Sequence, residues 1–211
     1  MIVNEVAFDS NHKFADHLPF LEEKRNLVRG MGLFAPQIPK DHGGLGLSLY
    51  QLGQIYEILG KTFYGLYVFN CQAPDAGNME ILIEHGTEYQ KETFLNPLVA
   101  GKTRSCFSMT EPDYAGSNPV MMGTTAVKDG SNYIINGHKW FTSSADGADF
   151  AIAMVITDPK NPNPYMRASQ IIIPTETEGF NFIRNISVMG DEGDGWNAVS
   201  YTHLTLPTKL A

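Results

Sequence analysis

The stretch Thr87–Met109, TEYQKETFLNPLVAGKTRSCFSM, holds the point at which the chain changes its periodicity. Thr87 followed three residues later by Gln90 is a capping box, in which hydroxyl and amide satisfy backbone N–H groups reciprocally at a helix start. The pattern predicts a helix over Glu88–Ala100, closed by Gly101, since glycine accepts the left-handed backbone of a helix end. From Ser105 the residues read instead as a short strand, Ser105–Met109.

Working outward, everything before this point is helical. Leu18, Leu21, Leu27 and Val28 lie among charges in a predicted helix Leu18–Arg29 that stops at Gly30. The loop 31–48, MGLFAPQIPKDHGGLGLS, is rich in helix breakers. Ser48 caps a second helix whose Leu49, Leu52, Ile55, Tyr56 and Leu59 recur at helical spacing until Gly60. An apolar run, Phe63–Cys71, leads to Pro74, and Met79, Ile81, Leu82 and Ile83 lie on a short helix ending at Gly86.

Beyond it the chain reads as strands: Thr124–Lys128, Tyr133–Ile135, Phe150–Ile156, Gln170–Ile173 and Asn181–Ile186, with Asp129-Gly130 as a turn and Asp158–Ala168 as an exposed loop. A helical half followed by an antiparallel β half is the α+β pattern. The boundary falls near residues 101–104, which gives a helical domain over 1–103 and a β domain over 104–198.

Composition narrows the class. Among 211 residues, 15 Lys and Arg stand against 23 Asp and Glu, for a net charge of −8. That balance argues against a nucleic-acid surface or an anionic membrane as partner. No apolar stretch of about 18 residues is present to span a bilayer. The start, MIVNEVAFDSNHKF, does not read as a signal peptide. Cys71 and Cys106 sit in apolar surroundings and read as reduced, partly buried thiols of a cytoplasmic protein. Gly44-Leu45-Gly46 lacks the strand that a dinucleotide fingerprint needs. The six histidines show no metal-ligand spacing, and no G-x-S-x-G elbow appears. Asp191, Glu192 and Asp194 read as a solvated acidic turn.

Two stretches are not explained by packing. Cys106–Asn118, CFSMTEPDYAGSN, leaves an apolar strand for a turn of hydroxyls, an acid, a proline and a glycine; its N–H groups and hydroxyls suit a planar polar ring or a phosphate. Ile135–Asp149, INGHKWFTSSADGAD, sets Trp140 and Phe141 beside Thr142, Ser143 and Ser144. An aromatic face with hydroxyl donors is one way to hold a flavin; caps and core packing are the ordinary uses of the same residues.

Thr110-Glu111-Pro112 with Ala115-Gly116-Ser117, followed by Ile135 to Ser143 (INGHKWFTS), resembles the flavin-binding signatures of the acyl-CoA dehydrogenase family. The loop Pro39–Gly46 and the order of the halves are similar too, and the resemblance runs from about Phe14 to Asn197. Val68–Asp75 with Gly77-Asn78-Met79-Glu80 resembles the branch typified by human members ten and eleven, associated with longer-chain and 4-hydroxyacyl-CoA substrates.

The resemblance implies α,β-dehydrogenation of an acyl-CoA thioester with FAD as cofactor. It sets Phe107, Ser108, Met109 and Thr110 along the flavin, with backbone groups and the Thr110 hydroxyl toward its pyrimidine end. It also implies Gly116 in the cofactor turn, Ser117 near the cofactor and the CoA portion of the substrate, Phe141 packing on the ring system, Ser143 meeting flavin N5, and Thr142 between them. It implies an electron-transfer flavoprotein or similar acceptor and a homo-oligomer. No catalytic base is assignable, and Glu111 reads as a structural residue of its turn. In departure from the family pattern, Tyr114 is inserted, Asn118 stands for the usual Asp, and Trp140 comes one place before the usual aromatic. The family's C-terminal helical bundle, with its glutamate base, does not follow the β half. Val199–Ala211, VSYTHLTLPTKLA, resembles translated adapter read-through, reads as a non-native tail and is excluded from the fold reasoning. Two other functions share these features: a flavin monooxygenase of the same fold, and a non-catalytic flavin- or CoA-binding remnant.

Overall fold

The computed structural model describes residues 14–116, 118–188 and 197–210, and the chain divides into two compact units, Met1–Thr103 and Arg104–Ala211.

The first unit is helical: α1 Phe14–Gly30, α2 Leu49–Leu59, α3 Gly65–Val68, α4 Asp75–His85, α5 Glu88–Gln90 and α6 Asn96–Val99. Both expected capping boxes form. The Ser48 hydroxyl accepts from Gln51 N at 3.4 Å while Gln51 Oε1 accepts from Ser48 N at 3.0 Å. Thr87 and Gln90 repeat the exchange at 3.2 and 2.8 Å. Helix α1 starts at Phe14 rather than Leu18 and runs through Pro19. Ala15 and Pro19 are both exposed, so water can satisfy the carbonyl that the proline leaves unbonded. The expected helix Glu88–Ala100 is also not uniform. Lys91–Leu95 is a π turn, with Asn96 N reaching back to Lys91 O. Pro97 lacks an N–H and crowds the turn before it, and this wider turn accommodates it.

Leu21, Val28, Tyr64 and Val68 form the core cluster of this unit, and Arg25 is buried with them at 2% exposure. Its guanidinium donates to Tyr67 O at 2.6 Å, Asn70 Oδ1 at 3.3 Å and Gly101 O at 3.4 Å, and faces the rings of Tyr67 and Phe34. Asn70 has a left-handed backbone (φ 57°) and donates through Nδ2 to Leu98 O and Val99 O, each at 3.1 Å, at the end of α6. Gly101 is also left-handed (φ 68°), and a Cβ there would lie 2.4 Å from Arg25 Nη2.

The second unit is one curled sheet of β1 Ser105–Ser108, β2 Thr125–Asp129, β3 Asn132–Lys139, β4 Phe150–Ile156, β5 Ala168–Pro174, β6 Phe180–Asn185 and β7 Asn197–Pro207. The strand order is β1-β4-β2-β3-β7-β6, with β5 paired to β4. Most pairs are antiparallel, as expected, but β4 runs parallel to β1 and, at Thr125 and Ile156, to β2. Strand β4 is covered on both faces, so nearly every residue in it is buried and apolar. Strand β3 runs past its expected end at Ile135, through Gly137 to Lys139. Gly137 lies so close to β2 that a Cβ would sit 2.2 Å from Thr124 Oγ1, and the pairing with β7 shifts register beside it.

The sheet reaches beyond residue 198, into the segment that the sequence reading excludes. Residues 199–207 make up most of β7, which pairs with β3 on one side and β6 on the other. Val199, Tyr201, Leu204 and Leu206 are buried, a spacing that the pleat of a strand turns to one side with a single irregularity. Ser117 and the acidic turn of Asp191, Glu192 and Asp194 lie outside the described residues.

Candidate functional site

The two motif-bearing segments leave neighbouring strand ends, β1 running into Met109–Glu111 and β3 into Trp140–Ser144. Hydrogen bonds lace them together. Trp140 N donates to Thr110 O at 2.9 Å, and the Thr110 hydroxyl donates back to Trp140 O. The Lys139 ammonium donates to Met109 O at 2.8 Å and to Glu111 Oε1 at 2.9 Å. The Glu111 carboxylate also accepts from Gly123 N at 2.6 Å and Thr124 N at 2.9 Å, at the entry to β2. Three strand ends are thereby tied to one ion pair.

Both partners of that pair are buried, Lys139 fully and Glu111 at 6% exposure. Burial pushes the Glu111 carboxyl up, but the bonds from Lys139, Gly123 and Thr124 outweigh it and hold the group below the usual carboxylate range. Burial also lowers the Lys139 ammonium, and Glu111 opposes that shift. Glu111 is therefore an ionised acceptor committed to three donors within the fold.

The structure brings Phe107–Thr110, Gly116 and Phe141–Ser143 to one end of the sheet, but their side chains do not all face outward. Ser108 is fully buried and accepts from Tyr201 Oη at 2.9 Å. Phe107 and Met109 are half-buried. The Thr110 hydroxyl proton, which the sequence reading directed at the cofactor, is committed to Trp140 O. The outward donor of Thr110 is instead its backbone N–H, which makes no hydrogen bond among the described residues. Gly116 packs on Thr110, with a virtual Cβ 3.2 Å from Cγ2.

On the other segment, Phe141 has a left-handed backbone (φ 53°), is 38% exposed and meets Trp140 edge to face at 4.8 Å. Thr142 points inward: it is fully buried, its N–H donates to Asn197 O at 2.9 Å, and its hydroxyl has no partner among the described residues. Ser143 is half-buried, and its hydroxyl makes no hydrogen bond among the described residues. An exposed ring, an unpartnered hydroxyl and an unpartnered N–H at one sheet end fit the edge and face of a flavin.

Lys139 is the residue that sequence reasoning passed over. The signal was there: counting by two along β3 from buried Ile135 puts Gly137 and then Lys139 on the inner face. A lysine at such a position needs buried acceptors to meet it. Elsewhere, Cys71 and Cys106 are buried and form no disulfide, and burial pushes the Cys71 thiol up to about 12 against a hydrogen bond with Tyr56. Among the described residues no cluster of His, Cys, Asp or Glu could hold a metal ion, and no helix is long and apolar enough to cross a membrane.

Comparison with known proteins matches residues 4–102 to the family described as acyl-CoA dehydrogenase, N-terminal domain, and residues 106–204 to acyl-CoA dehydrogenase, middle domain. Acyl-CoA dehydrogenase family member 11 of Gallus gallus is 42% identical over 174 residues, which are 82% of this chain and 22% of that protein. Family member 10 of Mus musculus is 35% identical over 198 residues, 90% of this chain and 18% of that protein. A solved chain from Mycobacterium abscessus, assigned to the acyl-CoA dehydrogenases, superposes with a TM-score of 0.86 at 37% identity, covering 91% of this chain and 48% of that one. The chain thus spans about a fifth of these curated relatives and about half of the solved chain.

Proposed function

The chain belongs to the acyl-CoA dehydrogenase family, and from that premise we propose that its protein carries out the flavin-dependent α,β-dehydrogenation of an acyl-CoA thioester, with residues 104–198 holding FAD. The observation that carries this reading is the laced pair of strand ends, beside which the Thr110 N–H and the Ser143 hydroxyl make no hydrogen bond among the described residues and the Phe141 ring is part-exposed.

When bound, FAD supplies the hydride acceptor for the substrate's β hydrogen. The chain's own groups orient and shield it. Thr110 N–H donates to the polar edge of the ring system, Ser143 donates to a ring nitrogen, and Phe141 covers a face and excludes water. Such fixed donors favour the charge that builds up during the reaction because they need no reorientation at that moment. Glu111 is not the base that takes the α proton, since it is buried, bonded to three donors of the fold and held below the usual carboxylate range, and we assign no catalytic base within this chain. Ser117 takes its place beside the CoA portion by resemblance to the family signature. With this function go an acyl-CoA substrate, an electron-transfer flavoprotein or similar acceptor, a homo-oligomer, and the cytoplasm as compartment, in keeping with two buried cysteines that form no disulfide.

The test is to purify the intact protein, extract and identify its cofactor, and titrate it anaerobically with acyl-CoA thioesters of graded length. A yellow protein whose visible flavin band bleaches on substrate addition is expected. A colourless preparation that FAD cannot reconstitute overturns the reading. Oxygen insertion into a substrate would support a monooxygenase instead.

A further inference from the structure

We propose that Lys139 is a positioning residue for the polar edge of the flavin, acting through the Met109–Thr110 peptide; this deepens the FAD-binding reading above and rests on it. The Lys139 side chain is fully buried, and its ammonium is shared among Met109 O at 2.8 Å, Glu111 Oε1 at 2.9 Å and Met122 Sδ at 3.5 Å. Three donors meet three acceptors, so none remains for a ligand. Whatever Lys139 does for the cofactor, it does through these partners.

The partner that matters is Met109 O. A trans peptide sets its C=O and N–H on opposite sides of one rigid plane. With the Met109 carbonyl turned inward onto the buried ammonium, the N–H of Thr110 is turned the other way. That N–H makes no hydrogen bond among the described residues, whereas the other polar atoms of Thr110 are taken: its carbonyl accepts from Trp140 N, and its hydroxyl donates to Trp140 O. Lys139 therefore fixes the direction of the single donor that Thr110 offers outward.

Neutralising Glu111 does not explain the arrangement by itself. Gly123 N and Thr124 N already donate to that carboxylate, and a lysine could meet Glu111 without touching Met109. A compact ammonium can bridge the two oxygens in this space, while a planar guanidinium needs more room. The ligand chemistry that this donor suits is a ring edge with a carbonyl oxygen and an adjoining nitrogen that gains negative charge on reduction, as in the pyrimidine portion of a flavin. A preset N–H there favours the reduced form.

The experiment compares three forms of the intact protein: wild type, Glu111→Gln, and the double variant Lys139→Met with Glu111→Gln, which leaves no unpaired charge behind. Glu111→Gln keeps the grip on Met109 O, and its FAD dissociation constant and flavin midpoint potential should stay within about twofold and close to wild type. The double variant should bind FAD about tenfold more weakly, the effect of one misdirected hydrogen bond, and shift the potential of the bound flavin to more negative values. A folded double variant with wild-type affinity and potential overturns the inference. Should the double variant not fold, Lys139→Arg decides: weaker FAD binding with a more negative flavin potential supports the inference, and wild-type affinity and potential overturn it. Wild-type protein that binds no FAD at all overturns the functional reading itself.

Discussion

Tyr201 on β7 donates its hydroxyl proton to Ser108 Oγ on β1 at 2.9 Å, 93 residues away in sequence, with both side chains buried. Neither strand pairs with the other in the sheet, so the bond marks how far the sheet curls. Burial raises the Tyr201 phenol well above its ordinary value, and the bond to Ser108 only partly opposes this. The group is a permanent neutral donor. It also explains why Ser108, inside a cofactor motif, presents no hydroxyl to the site.

Tyr201→Phe should lower stability by about 1–2 kcal/mol, the cost of one buried bond and an oxygen left unpaired. Urea unfolding followed by circular dichroism reads this as a lower midpoint with an unchanged slope. FAD affinity should not change, because Ser108 offers only backbone to the site.

Ser143→Ala removes a hydroxyl that makes no hydrogen bond among the described residues. In the intact protein the reductive half-reaction should slow by an amount equal to about 1.5–3 kcal/mol, or roughly 10- to 150-fold. Stopped-flow single turnover measures it. An unchanged rate would move the N5 partner to another residue.

Phe141→Gly separates backbone strain from ring contact. Relief of the left-handed backbone is worth about 1 kcal/mol, but loss of the edge-to-face contact with Trp140, of the buried part of the ring and of chain stiffness costs more. The melting temperature should therefore fall modestly, while FAD binding weakens by at least about tenfold through loss of the ring. A variant that keeps its FAD through gel filtration would show that Trp140 carries the stacking.

The Glu111 carboxyl titrates lower in the folded chain than in the unfolded one. It binds a proton more weakly when folded, so it adds stability above the unfolded value of about 4.3 and loses that contribution as pH falls through the lower, folded value. Denaturant midpoints should be flat from about pH 7 to 5 and fall below about pH 4. In Glu111→Gln the fall should be shallower.

Gly101→Ala should destabilise the helical unit by about 1–3 kcal/mol, since the added carbon meets Arg25 and Phe34 on a left-handed backbone. Thermal melting of the intact protein should show an earlier onset.

Much of the fold was legible because its signals are local. The Ser48 and Thr87 boxes need only a residue and its third neighbour, and both form. The π turn at Lys91–Leu95 depends on how the helix absorbs Pro97, which periodicity does not express. At the site, the two motif segments were legible as residue types, but the direction of each side chain was not. The Thr110 hydroxyl goes to Trp140 because two strand ends come within bonding distance, and that distance is a property of the closed sheet. Lys139 and Glu111 stand 28 residues apart, and they meet because Glu111 bonds the entry to β2 while β2 pairs with β3. Residues 199–207 were set aside on their likeness to read-through, although Tyr201, Leu204 and Leu206 have the spacing of a strand.

Asn70 narrows what substitution can do at one position of the helical unit. Glycine would accept the left-handed backbone there but abandon Arg25 and the two carbonyls of α6. Aspartate would keep an acceptor for Arg25 but set a negative charge against those carbonyls. Serine is too short to reach both sides, and glutamine carries its amide too far and tolerates the backbone poorly. The one side chain that is small, left-handed without penalty, and both donor and acceptor at its tip is the one present. Random variation at this codon should therefore yield asparagine alone among well-folded products, a selectivity ordinarily associated with active sites but here imposed by a junction of three helices.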